Sequence, residues 1–337
     1  MRIGKITENA LGRSVLKQIR TEYKGIESAA VGTDCAFSNN KKTFSAVYPV
    51  TENVSDPGFY AAVKAANSLI AQGIEPDHVS LSILLPAEAE EKTLKKIVSD
   101  AIVACRMCGT TYAGGHTEVT TAVNWPLVTA LAIGSGTIGA TKTVADLDGN
   151  TKKLTDIFPK PGAGQSLVVT KWIALEGTSM LAAQKKAELT TRYPVPFIEE
   201  AEGFKALMDI RREAKLIYEM GGVSVHDLSN GGIFAALWEM AERAGCGLKV
   251  DLKKIPIRQE TIEVCEFFEV NPYQLLSGGA LLLAANDGKA LARALEEEGI
   301  PAMVIGELLP GNDRIIINDD EQRFLELPQA DEIHKVL

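Results

Sequence analysis

The stretch Val223 to Gly245, VSVHDLSNGGIFAALWEMAERAG, decides how this chain is read. A strand runs to His226-Asp227, the turn Ser229-Asn230-Gly231-Gly232 follows, and a helix begins. Ile233, Ala236, Leu237, Met240, Ala241 and Ala244 recur at helical spacing and predict the buried stripe of that helix. Strand, glycine turn and helix in succession are a unit of an α/β fold. Glycines at a helix start leave backbone N–H groups open at the positive end of the helix dipole, so an anion can sit there. The alternative is an ordinary cap, with Ser229 or Asn230 as the N-cap residue. Asp227, Asn230, Gly231 and Gly232 are therefore candidates for holding an anion or a substrate, and Asp227 is also a candidate for catalysis.

Outward from this unit, strand-like and helix-like segments alternate in both directions. SAAVGTDCAF (28–37), KTFSAVYPV (42–50) and HVSLSILLP (78–86) read as strands, with a helix from about Pro57 to Gln72 between the second and third. AEEKTLKKIVSDAIVACRMCG (89–109) is an amphipathic helix with Leu94, Ile97, Val98 and Ala101 on its packed face. Two more strands follow, TYAGGHTEVT (111–120) and PLVTALAIGSG (126–136). A polar, turn-rich run from Ala140 to Gln165 closes on Pro-Lys-Pro-Gly-Ala-Gly, the strongest punctuation in the chain. It divides the sequence into a first domain, residues 1–160, and a second, residues 161–337. The second restarts with SLVVTKW (166–172) and continues past the opening stretch with ALLLAAND, GKALARALEEEG and PAMVIGELL.

The chain has 337 residues, ample for two cores, and its 46% hydrophobic and 23% charged residues are those of an ordinary globular protein. With 44 acidic against 35 basic residues and no basic run, nucleic acid is not an expected partner. No apolar run reaches membrane-spanning length and no secretion signal opens the chain. The five scattered cysteines do not make a disulfide framework. A reduced, cytoplasmic protein is expected.

Three further places hold chemistry-bearing residues. In TYAGGHTEVT, Gly114-Gly115 either serve a turn or let something approach the backbone, and His116 and Glu118 fall on one face of a strand with Thr117 on the other. A hydrogen-bonded structural pair and a ligand-facing pair are both open for His116 and Glu118. Asp34, a carboxylate between two apolar runs, needs a partner such as a cation or a capped backbone. Cys105 and Cys108 match C-x-x-C, but with no second pair to complete a zinc site, small apolar packing explains them best.

Seven motifs in order carry a resemblance across nearly the whole chain: GKITENALGRSVLKQI, VGTDCAF, AANSLIAQGIEP, AGGHTEVT, TKWIALEGTSMLA, VHDLSNGGIFAALWEMA and CEFFEVNPYQLLSGGALLL. The chain resembles the aminoimidazole ribonucleotide (AIR) synthase-related proteins and, among them, the hydrogenase maturation factors called HypE. The resemblance implies two α/β domains with mixed sheets, the first joining its sheet to that of a second copy in a shared β-barrel, so that the protein is a homodimer. It also implies ATP and Mg2+ in a cleft. Gly114, Gly115, His116, Thr117 and Glu118 would lie beside the phosphates, Asn67 would help hold the nucleotide, Asp34 would hold the metal, and His116 is a second candidate for catalysis.

The departures from the family matter equally. Where its members commonly have Thr-Asp-Pro this chain has Val47-Tyr48-Pro49, and their Asn-Asp appears as Asn67-Ser68, so two expected carboxylates are absent. The glutamate of the Ser/Asn-Glu-Gly motif is Gly278. The chain ends DEIHKVL, with its last cysteine at Cys265, so the thiocarbamate dehydration of HypE is not expected to run in cis. Three functions follow. The first is ATP-dependent activation of a small substrate or maturation partner. The second is a non-catalytic, nucleotide-binding homodimer acting as scaffold or regulator. The third is a small-molecule kinase resembling thiamine-monophosphate kinase.

Overall fold

The computed structural model describes residues 4–23, 34–37, 43–138 and 159–337. Residues 28–33 of the first predicted strand and most of the polar run, 140–158, lie outside the described residues. Strands β1 (Ala36–Phe37), β2 (Phe44–Val50), β3 (Ile74–Leu85), β4 (Thr111–Val119) and β5 (Leu127–Thr137) build one sheet in the order β1-β2-β5-β3-β4. Only the β3–β4 pairing is parallel. Among the described residues the sheet is open, with β4 at one edge, and does not close into a barrel.

Strands β6 (Ser166–Thr170), β7 (Ser224–Asp227), β8 (Gly247–Asp251), β9 (Leu281–Ala285), β10 (Ala302–Leu309), β11 (Arg314–Asn318) and β12 (Glu321–Phe324) build the second sheet, in the order β12-β11-β8-β10-β6-β9-β7. It too is mixed, with β8 and β11 parallel and the other pairs antiparallel. The sequence reading finds nine of these twelve strands across the two halves by their apolar runs but misses β8, β11 and β12. In β11 and β12 the alternation is weak because half-buried and exposed positions dominate.

The helix Pro57–Ile70 starts with proline at its first turn, where no N–H is needed. Small side chains, Ala61, Ala62, Ala65 and Ala66, let it sit almost wholly inside the molecule. One side packs on β2, β3 and β5, another on the helix Glu91–Met107. In the latter helix Ile97 and Ala101 of the predicted stripe are buried, while Leu94 and Val98 are partly so and pack on the core. The core continues without a break into the second half, through Val168, Leu281 and Leu283 of β6 and β9. The opposite face of those strands, Leu167, Val169 and Leu282, packs on Ile233, Leu237 and Met240 of the helix Gly232–Ala244. Because β9 is covered on both faces, its run Leu-Leu-Leu-Ala-Ala is uniformly apolar. Burying the Pro57–Ile70 helix brings three of its polar residues, Lys64, Asn67 and Ser68, against the second half of the chain.

Candidate active site

A cleft of about 520 Å³ opens where β2 faces the end of β7 and the turn after it. Asp34, Tyr48, Ser68, His226, Asp227 and Asn230 are among its lining residues. Ligand atoms of Asp34, His226 and Asp227 lie within 4.8 Å of one another. His226 Nδ1 is 3.0 Å from Asp34 Oδ1, and its Nε2 is 2.9 Å from Glu239 Oε2. Lys5 Nζ lies 2.6 Å from the other oxygen of Glu239. Gln72 donates to Asp34 Oδ2 at 2.7 Å, and Ser68 Oγ donates to Asp227 Oδ2 at 3.2 Å.

The electrostatics follow from this order. Burial works against a charged His226, but Asp34 and Glu239 outweigh it and raise the imidazole to about 10. It is an imidazolium bridging two carboxylates, and in that state it is no metal ligand. Burial also opposes ionisation of Glu239, yet His226 and Lys5 pull it down to about 2. Asp227 has no cation in hydrogen-bond contact among the described residues: burial, and then the charge of Asp34, outweigh the pull of His226 and push it up to about 8. A carboxyl that holds a proton beside a second carboxylate could give up that proton to a divalent cation. Mg2+ is bound by one or two carboxylates together with waters and substrate phosphates, so Asp34 and Asp227 fit it.

Behind the cleft lies a second charged group. Lys64 Nζ contacts both oxygens of Glu176, at 2.6 and 2.8 Å. The pair is almost completely buried, with side-chain exposures of 4% and 1%. Burial disfavours the Lys64 charge, but Glu176 and then Tyr48 more than offset it, and the ammonium is held above its usual range. Its Nζ sits 4.0 Å from the centre of the Tyr48 ring. Glu176 also accepts the Gly278 N–H at 3.1 Å. A Cβ added at Gly278 would come 2.6 Å from Glu176 Oε2. The carboxylate of Glu176 thus occupies the space beside the residue at which a glutamate was expected.

The helix start at Gly231-Gly232 is a correction to the capping alternative. Neither Ser229 nor Asn230 caps it; Gly231 is the N-cap residue, in left-handed conformation at φ 80°. Its N–H donates to Asp331 Oδ2 at 2.6 Å. Asp331 also accepts from Leu276 N at 3.2 Å and Ile333 N at 3.0 Å. The anion at this helix end is the chain's own carboxylate, arriving from 100 residues away. Burial pushes Asp331 up, its three N–H donors pull it back, and it settles at about 7. Gly232, at φ 63°, packs so closely that a Cβ would meet the Tyr273 carbonyl at 2.6 Å.

Of the residues singled out in the sequence, Asp34, Asp227, Asn230 and Gly232 line this one cleft. Tyr48 and Ser68, where the family resemblance led us to expect carboxylates, line it too. Asn67 does not: it is buried and donates to the Met208 carbonyl at 2.7 Å. Gly114 to Glu118 lie in β4, separated from β2 by β5 and β3. There His116 Nε2 is 3.1 Å from Glu118 Oε2, with both side chains more than half exposed. Gly114-Gly115 form a β-bulge: Val79 pairs with Tyr112 and Leu81 with Gly115, leaving an extra residue in β4. A Cβ on Gly115 would stand 1.9 Å from the Leu81 carbonyl oxygen, so the close approach is to the neighbouring strand. Cys105 and Cys108 are buried at a helix end, and burial pushes the Cys105 thiol up to about 11. Sequence reasoning missed Lys64, Glu176, Glu239 and Lys5. A lone lysine in the apolar helix 57–70 was the available signal, since a buried charge requires a partner.

Comparison with known proteins agrees with this architecture. The AIR synthase related protein N-terminal domain model matches residues 17–135, and the C-terminal domain model matches residues 162–318. A carbamoyl dehydratase HypE of Rhodobacter capsulatus is 26% identical over 265 residues, which cover 77% of this chain and 72% of that protein. A chain from a HypE–HypF complex superposes with a TM-score of 0.73 at 17% identity, covering 94% of this chain and 100% of that one. HypE in complex with ATP gives a TM-score of 0.68 at 17% identity, covering 94% and 93%. Thiamine monophosphate kinase from Aquifex aeolicus gives 0.64 at 17% identity, covering 96% and 99%. At these identities the structures speak to the fold. With both domain models matched in order along the chain, this protein belongs to the AIR synthase-related family.

Proposed function

We propose that this protein is an ATP-using enzyme that activates an oxygen on a small substrate or on a maturation partner, in the manner of its HypE-like relatives. The observation that carries the reading is the Asp34–Asp227 carboxyl pair in the cleft beside the Asn230–Gly232 turn, of which, among the described residues, only Asp34 has a cationic hydrogen-bond partner, the His226 imidazolium. Mg2+ bound there would neutralise charge on the phosphates. The chain's residues would do the rest: Asp34 and Asp227 hold the cation, Asn230 orients the ligand, and the wall of Tyr48 and Pro49 limits water. Phosphoryl chemistry rests on such positioning and charge neutralisation. All five cysteines are buried, so an acceptor thiol would come from a partner. This fits a partner-dependent role, and the HypE–HypF complex is such an assembly.

Gly114 to Glu118 would meet the phosphates only if a second copy brought its β4 edge to this cleft, so the reading includes a homodimer, with the two first-half sheets sharing a barrel. The open face of that sheet supports this: Val47 is exposed on β2 and Leu131 and Ile133 are half-buried on β5. Among the described residues no helix is long and apolar enough to cross a membrane, which suits the cytoplasm.

The test is thermal unfolding and ATP hydrolysis with and without Mg·ATP, compared with Asp227→Asn. A ligand at a hundredfold excess over its Kd stabilises by about 2.7 kcal/mol. Such a rise is expected for the native chain and not for the variant; no response of the native chain to millimolar Mg·ATP ends this reading. Binding without turnover in the presence of candidate substrates would favour the nucleotide-binding scaffold, for which the uncharged Tyr48 and Ser68 at the cleft speak.

A further inference from the structure

The side-chain amide of Asn230 is held in one orientation. Its Oδ1 accepts from the Tyr48 hydroxyl, receives Ser229 Oγ at 3.3 Å, and lies 3.5 Å from Lys64 Nζ. A tyrosine or serine hydroxyl could face either end of an amide, but an ammonium only donates, so the oxygen must be the atom facing Lys64. Lys64 cannot turn away, because Glu176 holds it from behind with two contacts and the Tyr48 ring lies against it. Asn230 lines the cleft, and its Nδ2 makes no hydrogen bond among the described residues.

We infer that Lys64, Glu176 and Tyr48 are positioning residues that lock the Asn230 amide with its NH2 toward the cleft, making it a donor to an acceptor oxygen of the ligand and barring it from metal ligation. The inference rests on the functional reading above for the identity of that ligand, an oxyanion such as a phosphate group. A carbonyl oxygen already engaged by three donors has no lone pair left for a cation. Metal ligation is thereby confined to Asp34 and Asp227, while the opposite wall of the turn offers N–H to the ligand. Selectivity follows: a group presenting an acceptor oxygen is favoured at this wall over one presenting only donors.

Asn230→Asp separates this from a purely structural role, because the new carboxylate can still accept from Tyr48 and Lys64. It is expected to bind Mg·ATP or pyrophosphate at least about tenfold more weakly, as for loss of a hydrogen bond to a charged group. At the same time it should bind Mn2+, titrated alone by electron spin resonance, more tightly, having gained a third carboxylate at the site. Tyr48→Phe, which changes no charge, and the charge-neutral double variant Lys64→Met with Glu176→Met should each weaken the oxyanion in the same direction by a smaller factor. They should also raise Mn2+ affinity, a gain that mere loosening of the fold would not produce. If Mg·ATP binds the native chain and Asn230→Asp equally well, the amide inference is overturned and the nucleotide reading stands. If pyrophosphate binds, weakened in Asn230→Asp, while Mg·ATP does not bind, the nucleotide reading fails and the amide inference stands. If no oxyanion binds the native chain, both fall.

Discussion

Two segments of this molecule bring together the same residue types, a histidine, an acid and a Gly-Gly pair, and the fold treats them in opposite ways. In β4, His116 and Glu118 meet at 3.1 Å in solvent on a sheet edge. At the end of β7, His226 meets Asp34 at 3.0 Å and Glu239 at 2.9 Å inside the protein. Water screens the first pair, so its worth to stability lies near the low end of surface ion pairs, about 0–1 kcal/mol. The second is cut off from water, so each charge depends on its neighbours and the proton affinities spread from about 2 at Glu239 to about 10 at His226. Burial, and not the choice of residues, drives the proton affinities of one constellation apart and leaves the other as a solvent-exposed pair on a strand.

The contrast can be broken by mutation. The largest effect is expected where a buried charge loses its partner: Lys64→Ala strands Glu176 and should cost about 3–5 kcal/mol in chemical denaturation. A smaller loss, roughly 2 kcal/mol or more, is expected for Gly115→Ala, because the Cβ would collide with the Leu81 carbonyl at a φ of 145° that side chains rarely adopt. His116→Ala should change stability by less than about 0.5 kcal/mol. If it nevertheless weakens Mg·ATP binding, the exposed edge takes part in the site of a dimer; if binding and stability are both unmoved, it does not.

A pH series sharpens the same comparison. The folded-state value of Asp227 is raised from about 3.8 to about 8, so its protonated form is the one favoured by folding. Its contribution is fully present below pH 4 and is lost as pH rises through 8. A divalent cation that displaces this proton should therefore bind more tightly as pH rises to about 8 and then level off. In Asp227→Asn that slope should vanish. His226 is also raised, so its stabilising contribution is present below about pH 6.5 and is lost as pH climbs through about 10.

Much of this was legible in the residues. Alternating apolar runs and amphipathic periods predict the α/β architecture, and the VSVHDLSNGG turn points to the cleft because strand, glycine turn and helix are encoded locally. What escaped was encoded at a distance. Nothing near Gly231 announces that Asp331 will occupy its N–H, and nothing near Asp34 announces His226. The strands β11 and β12 were missed because their side chains are half wet, which erases the period-two signal. The family resemblance put Asn67 at the nucleotide, but a helix buried on nearly all sides offers several inward faces. Its amide took the one toward Met208 while Lys64, three positions earlier, took the one toward the turn.

The bulge in β4 has a consequence for assembly. A flat, unpaired edge would accept almost any extended chain in many registers, an invitation to runaway strand addition. Here two left-handed glycines kink the edge midway, at φ 108° and 145°, and the polar His116–Glu118 pair follows at once. An incoming strand must match that kink to pair beyond it. The edge therefore acts as a filter, turning away chance partners from the crowd of newly made chains.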